Sequence, residues 1–472
     1  MRGVQPVLLG TDVLIFALLA LVALVIWRAR RSEPLRDAWR RVGESAVGMA
    51  SLGVLLCFVL VGGLDSLHYR ERLAPPAGAA PGEKGPLSTE VRSALDALAA
   101  PLRARTEKTY SAPLALHLFA RETVERPDGS QSREFPRLRH AGKDLRYPES
   151  DHVGDVIGRG GLGLAAGLGV WAGVAAVVVL GVARSRGVPV GAAWRALSRG
   201  KGGLAWRALL LTLLGVLAIA GPALMLAAEY HVFGTDKVGQ DVLYLTLKSI
   251  RTALVIGTLT TLLTLPLAIA LGILAGYLGG WVDDLIQYVY TVLNSIPGVL
   301  LIAAAVLMMQ VVIDTHPHWF DTAADRADAR LLALCFILGM TSWTSLCRLL
   351  RGETLKLREL EYVQAARAFG VSTARILLRH VLPNLMHLVL IAVVMDFSGL
   401  VLAEAVLSYV GIGVDPNTVS FGTMINAARM ELAREPMVWW SLAAAFVFMF
   451  VLVLAANLFA DVVRDAFDPR SV

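Results

Sequence analysis

The sequence predicts an all-α polytopic membrane protein with about nine transmembrane helices and a small extracytoplasmic domain. Three observations lead there. Of 472 residues, 56% are hydrophobic and 17% charged, with a mean hydropathy of +0.61; soluble domains of this length carry more charge. Apolar runs near twenty residues, long enough to cross a bilayer, recur along the chain. The short connections between them alternate in charge, as loops on opposite membrane faces do.

Taken in order, the spans fall near 13–28, 46–64, 161–183, 208–228, 248–275, 285–312, 331–349, 385–410 and 438–461. The first runs into Arg28, Arg30 and Arg31 without a small-residue cleavage site, so it reads as a retained helix rather than a removed signal. Residues 28–45 hold six arginines against Glu33, Asp37 and Glu44, and residues 184–207 are basic with no acid. Both are expected in the cytoplasm. The 313–330 connection, with Asp314, Asp321, Asp325 and Asp328, is expected outside. Alternation then puts the N-terminus and 65–160 outside, and the 350–384 loop and C-terminus inside.

Residues 65–160 are too polar for lipid. A Pro-rich lead (Pro75, Pro76, Pro81) precedes a helix signal capped at Ser88 or Thr89, carrying Val91, Leu95 and Leu98 and broken at Pro101. Pro127-Asp128-Gly129 reads as a turn joining two short strands. Cys57, Cys335 and Cys347 sit in apolar runs without paired spacing, which argues against a disulfide or metal framework. The net charge of +6 is accounted for by arginines at membrane ends and calls for no nucleic acid. Gly142-Lys143 and Gly200-Lys201 lack the remaining residues of a phosphate-cradling loop, so no nucleotide or other cofactor is expected on this chain.

The most informative stretch is Glu361–Asn384, EYVQAARAFGVSTARILLRHVLPN, a polar passage between two apolar runs. Alanines let a helix lie close in a groove, Gly370 supplies a turn, and Pro383 is expected to end a second helix. Gln364, Ala365, Ala366, Gly370, Leu382 and Pro383 fall in register with the cytoplasmic EAA loop of binding-protein-dependent ABC importer permeases, which this segment resembles. Gln364 stands where that pattern has Glu, and His380 where it has Ile. The resemblance extends to Gly234–Asp241 (GTDKVGQD), Ala275–Asp283 (AGYLGGWVD), Glu404–Gly413 (EAVLSYVGIG) and Asn457–Arg470, all similar to the second permease type of dipeptide and oligopeptide importers.

That resemblance implies a type I importer permease fold in the last six spans. The chain then divides into two N-terminal helices (1–64), an extracytoplasmic domain (65–160), a third helix with a basic linker (161–207), and a permease domain (208–472). It further implies a multi-pass protein of the plasma (inner) membrane, surrounded by lipid. Expected partners are a second permease, two cytosolic ATPase subunits holding ATP and Mg, and an extracytoplasmic substrate-binding protein. The ATPase-coupling residues carried over are Gln364, Ala365, Ala366, Arg367, Gly370, Leu382 and Pro383.

Structural readings stand beside these. Thr235-Asp236 fits a turn cap, Gly276, Gly279 and Gly280 fit a tight turn, and Pro266 and Pro297 fit kinks within spans. Asp396 and Glu404 are acids inside a span, candidates for a gate or pathway, or for a permease interface in the case of Glu404. A proton- or ion-coupled secondary transporter built on these two acids is the alternative, although inverted repeats are not visible. No catalytic signature supports a membrane enzyme.

Overall fold

The computed structural model describes residues 4–29, 31, 33–73, 85–125, 131–143, 145, 147–198, 200, 203–415 and 417–467. In chain order the helices begin with α1 (Gly10–Ala29), α2 (Glu33–Glu44), α3 (Ala46–Asp65), α4 (Ala94–Leu98) and α5 (Ala100–Ala104). They continue with α6 (Pro148–Arg186), α7 (Val190–Ser198), α8 (Trp206–Leu226), α9 (Val242–Leu278), α10 (Gly280–Ser295) and α11 (Gly298–Thr315). The last are α12 (Ala323–Arg358), α13 (Glu361–Ala368), α14 (Thr373–Ile376), α15 (Leu382–Val410), α16 (Phe421–Arg429) and α17 (Trp440–Phe467). Short strands β1 (Val4–Pro6), β2 (His68–Glu71) and β3 (Arg92–Ser93) form one antiparallel sheet in that order, and β4 (Glu122–Glu125) pairs with β5 (Gln131–Glu134).

Among the described residues, eight helical stretches are long and apolar enough to cross a membrane: α3, α6, α8, α9, α11, α12, Thr373–Val410 and α17. The first expected span, 13–28, corresponds to α1, whose apolar stretch, Gly10–Leu24, is shorter. The expected span 285–312 is two helices. Ile296, with ψ at 132°, is extended, the conformation favoured before proline, and α10 ends there. Pro266, in contrast, lies inside the continuous helix α9.

The chain forms two compact units. One comprises Met1–Val7, Trp39–Thr252 and Val419–Leu458; the other comprises Leu8–Ala38, Ala253–Thr418 and Phe459–Val472. In the first unit α6 and α8 run against each other at their glycines: a Cβ on Gly163 would meet the Gly221 carbonyl at 2.5 Å. Trp171 Nε1 donates to the Leu210 carbonyl at 2.8 Å along the same seam. The segment after α3 is held by charge. Lys248 Nζ lies 2.7 Å from Asp65 and 3.2 Å from Asp96, while Tyr244 donates to Asp96 at 2.7 Å. The helix expected to be capped at Ser88 or Thr89 instead starts after Ser93, because Ser93 and Asp96 close a reciprocal capping box. The 127–129 turn lies outside the described residues, but the strands it would join are paired.

The core of the second unit has two clusters. One joins α9, α12 and α15 through Val255, Ile256, Leu259, Leu334, Leu338 and Leu407. The other gathers Ala268, Ala275, Tyr290, Leu346, Leu350 and Leu385 around the start of α15.

Candidate functional site

The 361–384 segment leaves the end of α12 and turns back within about twenty residues. Its inner row is Val363, Ile376 and Val381, each 1% exposed or less, which enter the cluster formed by α9, α10 and α12. Ala366 packs partly against the same cluster, whereas Gln364, Ala365, Arg367 and Ala368 face outward. The two alanines of the motif therefore do different work: one seats the helix and the other keeps its outer surface flat.

Between α13 and α14 the chain closes a Schellman turn. Val371 N–H donates to the Ala366 carbonyl at 3.1 Å and Gly370 N–H to the Arg367 carbonyl at 3.0 Å. Gly370 sits at φ +75°, the left-handed region, with no atom within 4 Å of where a Cβ would be. Its requirement for glycine is thus a backbone requirement. Phe369, at the apex, is 86% exposed, an unusual position for a large apolar ring.

Pro383 does not end a helix. The chain runs helically from Thr373 to Val410, with a π turn at Leu377–Val381 just before the proline. The widened turn accommodates a residue that has no N–H to donate and whose ring crowds the preceding turn. Leu382 packs partly against the core, and Pro383 is exposed in the first turn of α15. Asn384 Nδ2 donates to Tyr362 Oη at 3.0 Å and to the His380 carbonyl at 2.6 Å, bracing α13 against the base of α15.

The seat of this turn is a close crossing of α9 and α12. A Cβ on Gly272 would meet the Cys347 carbonyl at 2.7 Å, and one on Gly276 would meet Thr354 Cβ at 2.6 Å. Gly276 is therefore a helix-contact residue rather than part of the turn expected there; Gly279 and Gly280, both at positive φ, make that turn. Arg351 forks onto Asp283 at 2.5 and 2.6 Å, and the guanidinium, whose hydrogen bond outweighs burial, holds that carboxyl below the usual range. Beside α13 an open cavity of about 560 Å³ is lined by Tyr277, Arg358, Glu359, Gln364, Arg367 and Ala368, among others. Gln364 Nε2 donates to the Glu359 carbonyl at 3.1 Å across it.

The two intramembrane acids stand apart from this site and from each other on α15. Glu404 is 1% exposed and accepts from Ser408 Oγ at 2.6 Å within its own helix. It therefore belongs to the interior of its unit, not to an outer surface where another permease would reach it. Asp396 is half-buried.

The Gly234–Asp241 motif is a tight loop in the first unit. Asp236 Oδ1 accepts from the N–H of Val238 at 2.9 Å and of Gln240 at 2.8 Å, and Asp241 caps α9 by accepting from Leu243 N–H at 2.8 Å. Against it lies the segment after α5. Glu107 N–H donates to the Gly239 carbonyl at 2.9 Å, Thr235 N–H to the Ser111 carbonyl at 3.1 Å, and a Cβ on Gly239 would overlap the Glu107 backbone. Trp440 Nε1 donates to the Thr235 carbonyl at 2.9 Å. Buried beneath, His231 Nδ1 lies 2.7 Å from Asp241, with Glu107 3.7 Å from its other nitrogen. Burial opposes charge on this imidazole, but its hydrogen bond to the Asp241 carboxylate and the nearby charge of Glu107 prevail and push it up to about 9. Asn457–Phe467 completes α17; residues 468–470 of the terminal motif lie outside the described residues.

Residues 268–472 match the family described as binding-protein-dependent transport system inner membrane component. The oligopeptide transport system permease protein OppC of Mycobacterium tuberculosis (strain H37Rv) is 33% identical over 241 residues, covering 51% of this chain and 76% of that one. The chain belongs to this permease family. The dipeptide transport system permease protein DppC of Bacillus subtilis (strain 168) is 28% identical over 292 residues, covering 59% of this permease and 85% of its own length. A solved chain from inward-facing crystals of the MetNI methionine ABC transporter has a TM-score of 0.34 and 16% identity, over 48% of this permease and 97% of that chain. By its family and its curated relatives the protein is a multi-pass transport permease subunit. The 361–384 turn, the α9–α12 crossing at Gly272 and Gly276, and both intramembrane acids fall inside the matched region; α1 to α8 fall before it.

Proposed function

We propose that this permease is one transmembrane half of an ATP-driven importer of peptides or similar small solutes. It pairs with a second permease across the solute pathway and receives motion from two cytosolic ATPase subunits, which hold ATP and Mg, while an extracytoplasmic binding protein delivers the cargo. The names of the curated relatives support peptides as the substrate class. The N-terminus lies outside and the C-terminus in the cytoplasm, on the charge asymmetry of the short loops.

The observation that carries the coupling role is the two-sided construction of 361–384. Its inner row is locked into the α9–α10–α12 cluster, while its apex offers Phe369 and Ala365 to a partner. A displacement of the apex is therefore transmitted to three helices at once. Moving a two-state pathway from mostly inward to mostly outward takes about 5.5 kcal/mol of differential binding, which a loosely packed joint would dissipate. Gln364, Ala365, Arg367 and Gly370 form the contact surface; Ala366, Leu382 and Pro383 set its seat.

The test is uptake into reconstituted vesicles containing the partner permease, both ATPases and the binding protein, with a cysteine at 365 for cross-linking. Cross-linking to the ATPase that varies with nucleotide state is the expected result. Labelling of position 365 from outside intact cells, or ATP-driven uptake undiminished by Ala366→Glu, would overturn the reading. A carrier driven by Asp396 and Glu404 gains no support from their placement, since Glu404 is sealed in the helix core.

A further inference from the structure

Outside the matched region, the first unit gathers arginines at one membrane face. Three spanning helices end there: α3 starts at Ala46, α6 stops at Arg186, and α8 starts at Trp206. Two contacts bring these ends together. Ala205 N–H donates to the Gly43 carbonyl at 2.7 Å, joining the approach to α3 with the start of α8. The short helix α7 buries Ala193 and Leu197 against Val179, Val182 and Ala183 of α6, with Trp206 packed alongside. Arg184, Arg186, Arg195 and Arg207 are all exposed on this assembly, Arg195 Nε donating to the Gly191 carbonyl at 3.2 Å, and residues 182–210 contain no acid. Arg40 and Arg41 stand beside them with Glu44, which Arg40 engages at 2.9 Å.

Charge is only half of the surface. Interleaved with the arginines, Val190 is 50% exposed, Trp194 46% and Leu204 37%. α7 therefore exposes Val190, Trp194 and Arg195, beside the arginines at the ends of α6 and α8 and next to the ends of three long apolar helices. Arginine forks phosphate with paired N–H donors, and indole rings favour the headgroup zone. A soluble acidic partner would match the guanidinium groups but leave Val190 and Trp194 wet, whereas a phospholipid satisfies both.

We propose that this face, formed by α7 and the adjoining ends of α6 and α8, binds the phosphodiester headgroups of anionic phospholipids, with their acyl chains along Val190 and Trp194. The site tethers the added helices to an anionic leaflet, so that the extracytoplasmic segment they carry is held at a fixed height. It is independent of the importer reading, because its ligand is a lipid and its residues precede the matched region.

The test is native mass spectrometry of the full purified chain titrated with phosphatidylglycerol or with phosphatidylcholine of the same acyl composition. Phosphatidylglycerol is expected to bind more tightly, and its affinity to fall as salt is raised. Each neutralised arginine is expected to cost about fivefold, so that the combined R184Q/R186Q/R195Q/R207Q variant loses several hundredfold, on the order of that factor compounded. The corresponding four-lysine variant retains most of the binding. If the glutamine variant fails to fold, the salt titration on the unaltered chain decides. Equal affinity for both lipids, insensitivity to salt, or undiminished phosphatidylglycerol binding by a folded glutamine variant would overturn the proposal. So would co-purification of a protein or nucleic acid through these arginines without a phosphatidylglycerol preference.

Discussion

Replacing Gly370 with asparagine, alanine and valine tests the coupling turn in graded steps. The position is at φ +75° and open on all sides, so a new side chain meets no neighbour and the only intramolecular cost is the left-handed backbone. Asparagine tolerates that region best; alanine should cost about 1 kcal/mol and the β-branched valine about 2 kcal/mol. At 1.36 kcal/mol per decade these become losses of about fivefold and about thirtyfold in the population of the native turn. Because the turn lies at the surface and its anchor Val363 is untouched, insertion and thermal stability should stay near those of the unaltered chain. ATP-driven uptake in the reconstituted assembly should then follow Gly, Asn, Ala, Val in decreasing order. Uptake by the valine variant at the unaltered rate would refute the coupling role. Equal loss in all three would show that crowding against a partner, not backbone conformation, sets the requirement.

Four further outcomes are expected. Phe369→Ala removes an exposed ring, so stability should change by no more than about 0.5 kcal/mol while cross-linking to the ATPase and uptake both fall; unchanged uptake would remove Phe369 from the contact surface. Gly276→Val forces atoms into the Thr354 contact at the α9–α12 crossing and should destabilise by about 1–3 kcal/mol, read as a lowered unfolding temperature; no shift would mean the two helices part easily. His231, raised from 6.5 to about 9 in the folded state, contributes stability that is fully present below pH 6.5 and lost as pH rises through 9. The contribution is about 3 kcal/mol at most, so unfolding temperature should fall between those pH values and His231→Gln should flatten the profile; a parallel decline in the variant would assign the effect elsewhere. Lys248→Met leaves Asp65 and Asp96 buried without their cation and should cost about 3–5 kcal/mol, with proteolysis of the segment after α3 as the readout and an unchanged digestion rate as the refutation.

What the sequence made legible follows from which forces are local. Hydropathy measures the interaction with lipid directly, so the expected spans at 46–64, 161–183, 208–228 and 438–461 each have a helix over them. Proline was ambiguous because its own effect is the same everywhere and the neighbours decide the outcome. Ile296 goes extended and the helix breaks, whereas Leu377–Val381 widens to a π turn with one extra residue and the helix survives Pro383. The site was half legible. Gly370 and the alanines announced a turn, but only packing separates Ala366, which faces in, from Ala365, which faces out. Gly272 and Gly276, four residues apart, carried a usable signal of close helix approach that a turn reading of Gly276 obscured. The pairing of His231 with Glu107 had no sequence signature, since 124 residues separate them.

The added segment of this permease is joined to it by backbone, and this changes what the GTDKVGQD loop does here. A loop held only by its own Asp236 turn could drift with the end of α9. Here the Glu107 and Thr235 N–H groups bridge it to the segment, and Gly239 leaves room for the Glu107 backbone that any side chain would occupy. Trp440 closes the arrangement from the start of α17, with Phe119 edge-on at 4.8 Å. The beginnings of α9 and α17 are thus tied to one folded segment, the chain that follows α5. Any motion that separates those two helix ends must break the buried hydrogen bond from Trp440 to the Thr235 carbonyl, which costs about 1–3 kcal/mol when its partner is lost without water to replace it. The added segment therefore stiffens this end of the first unit.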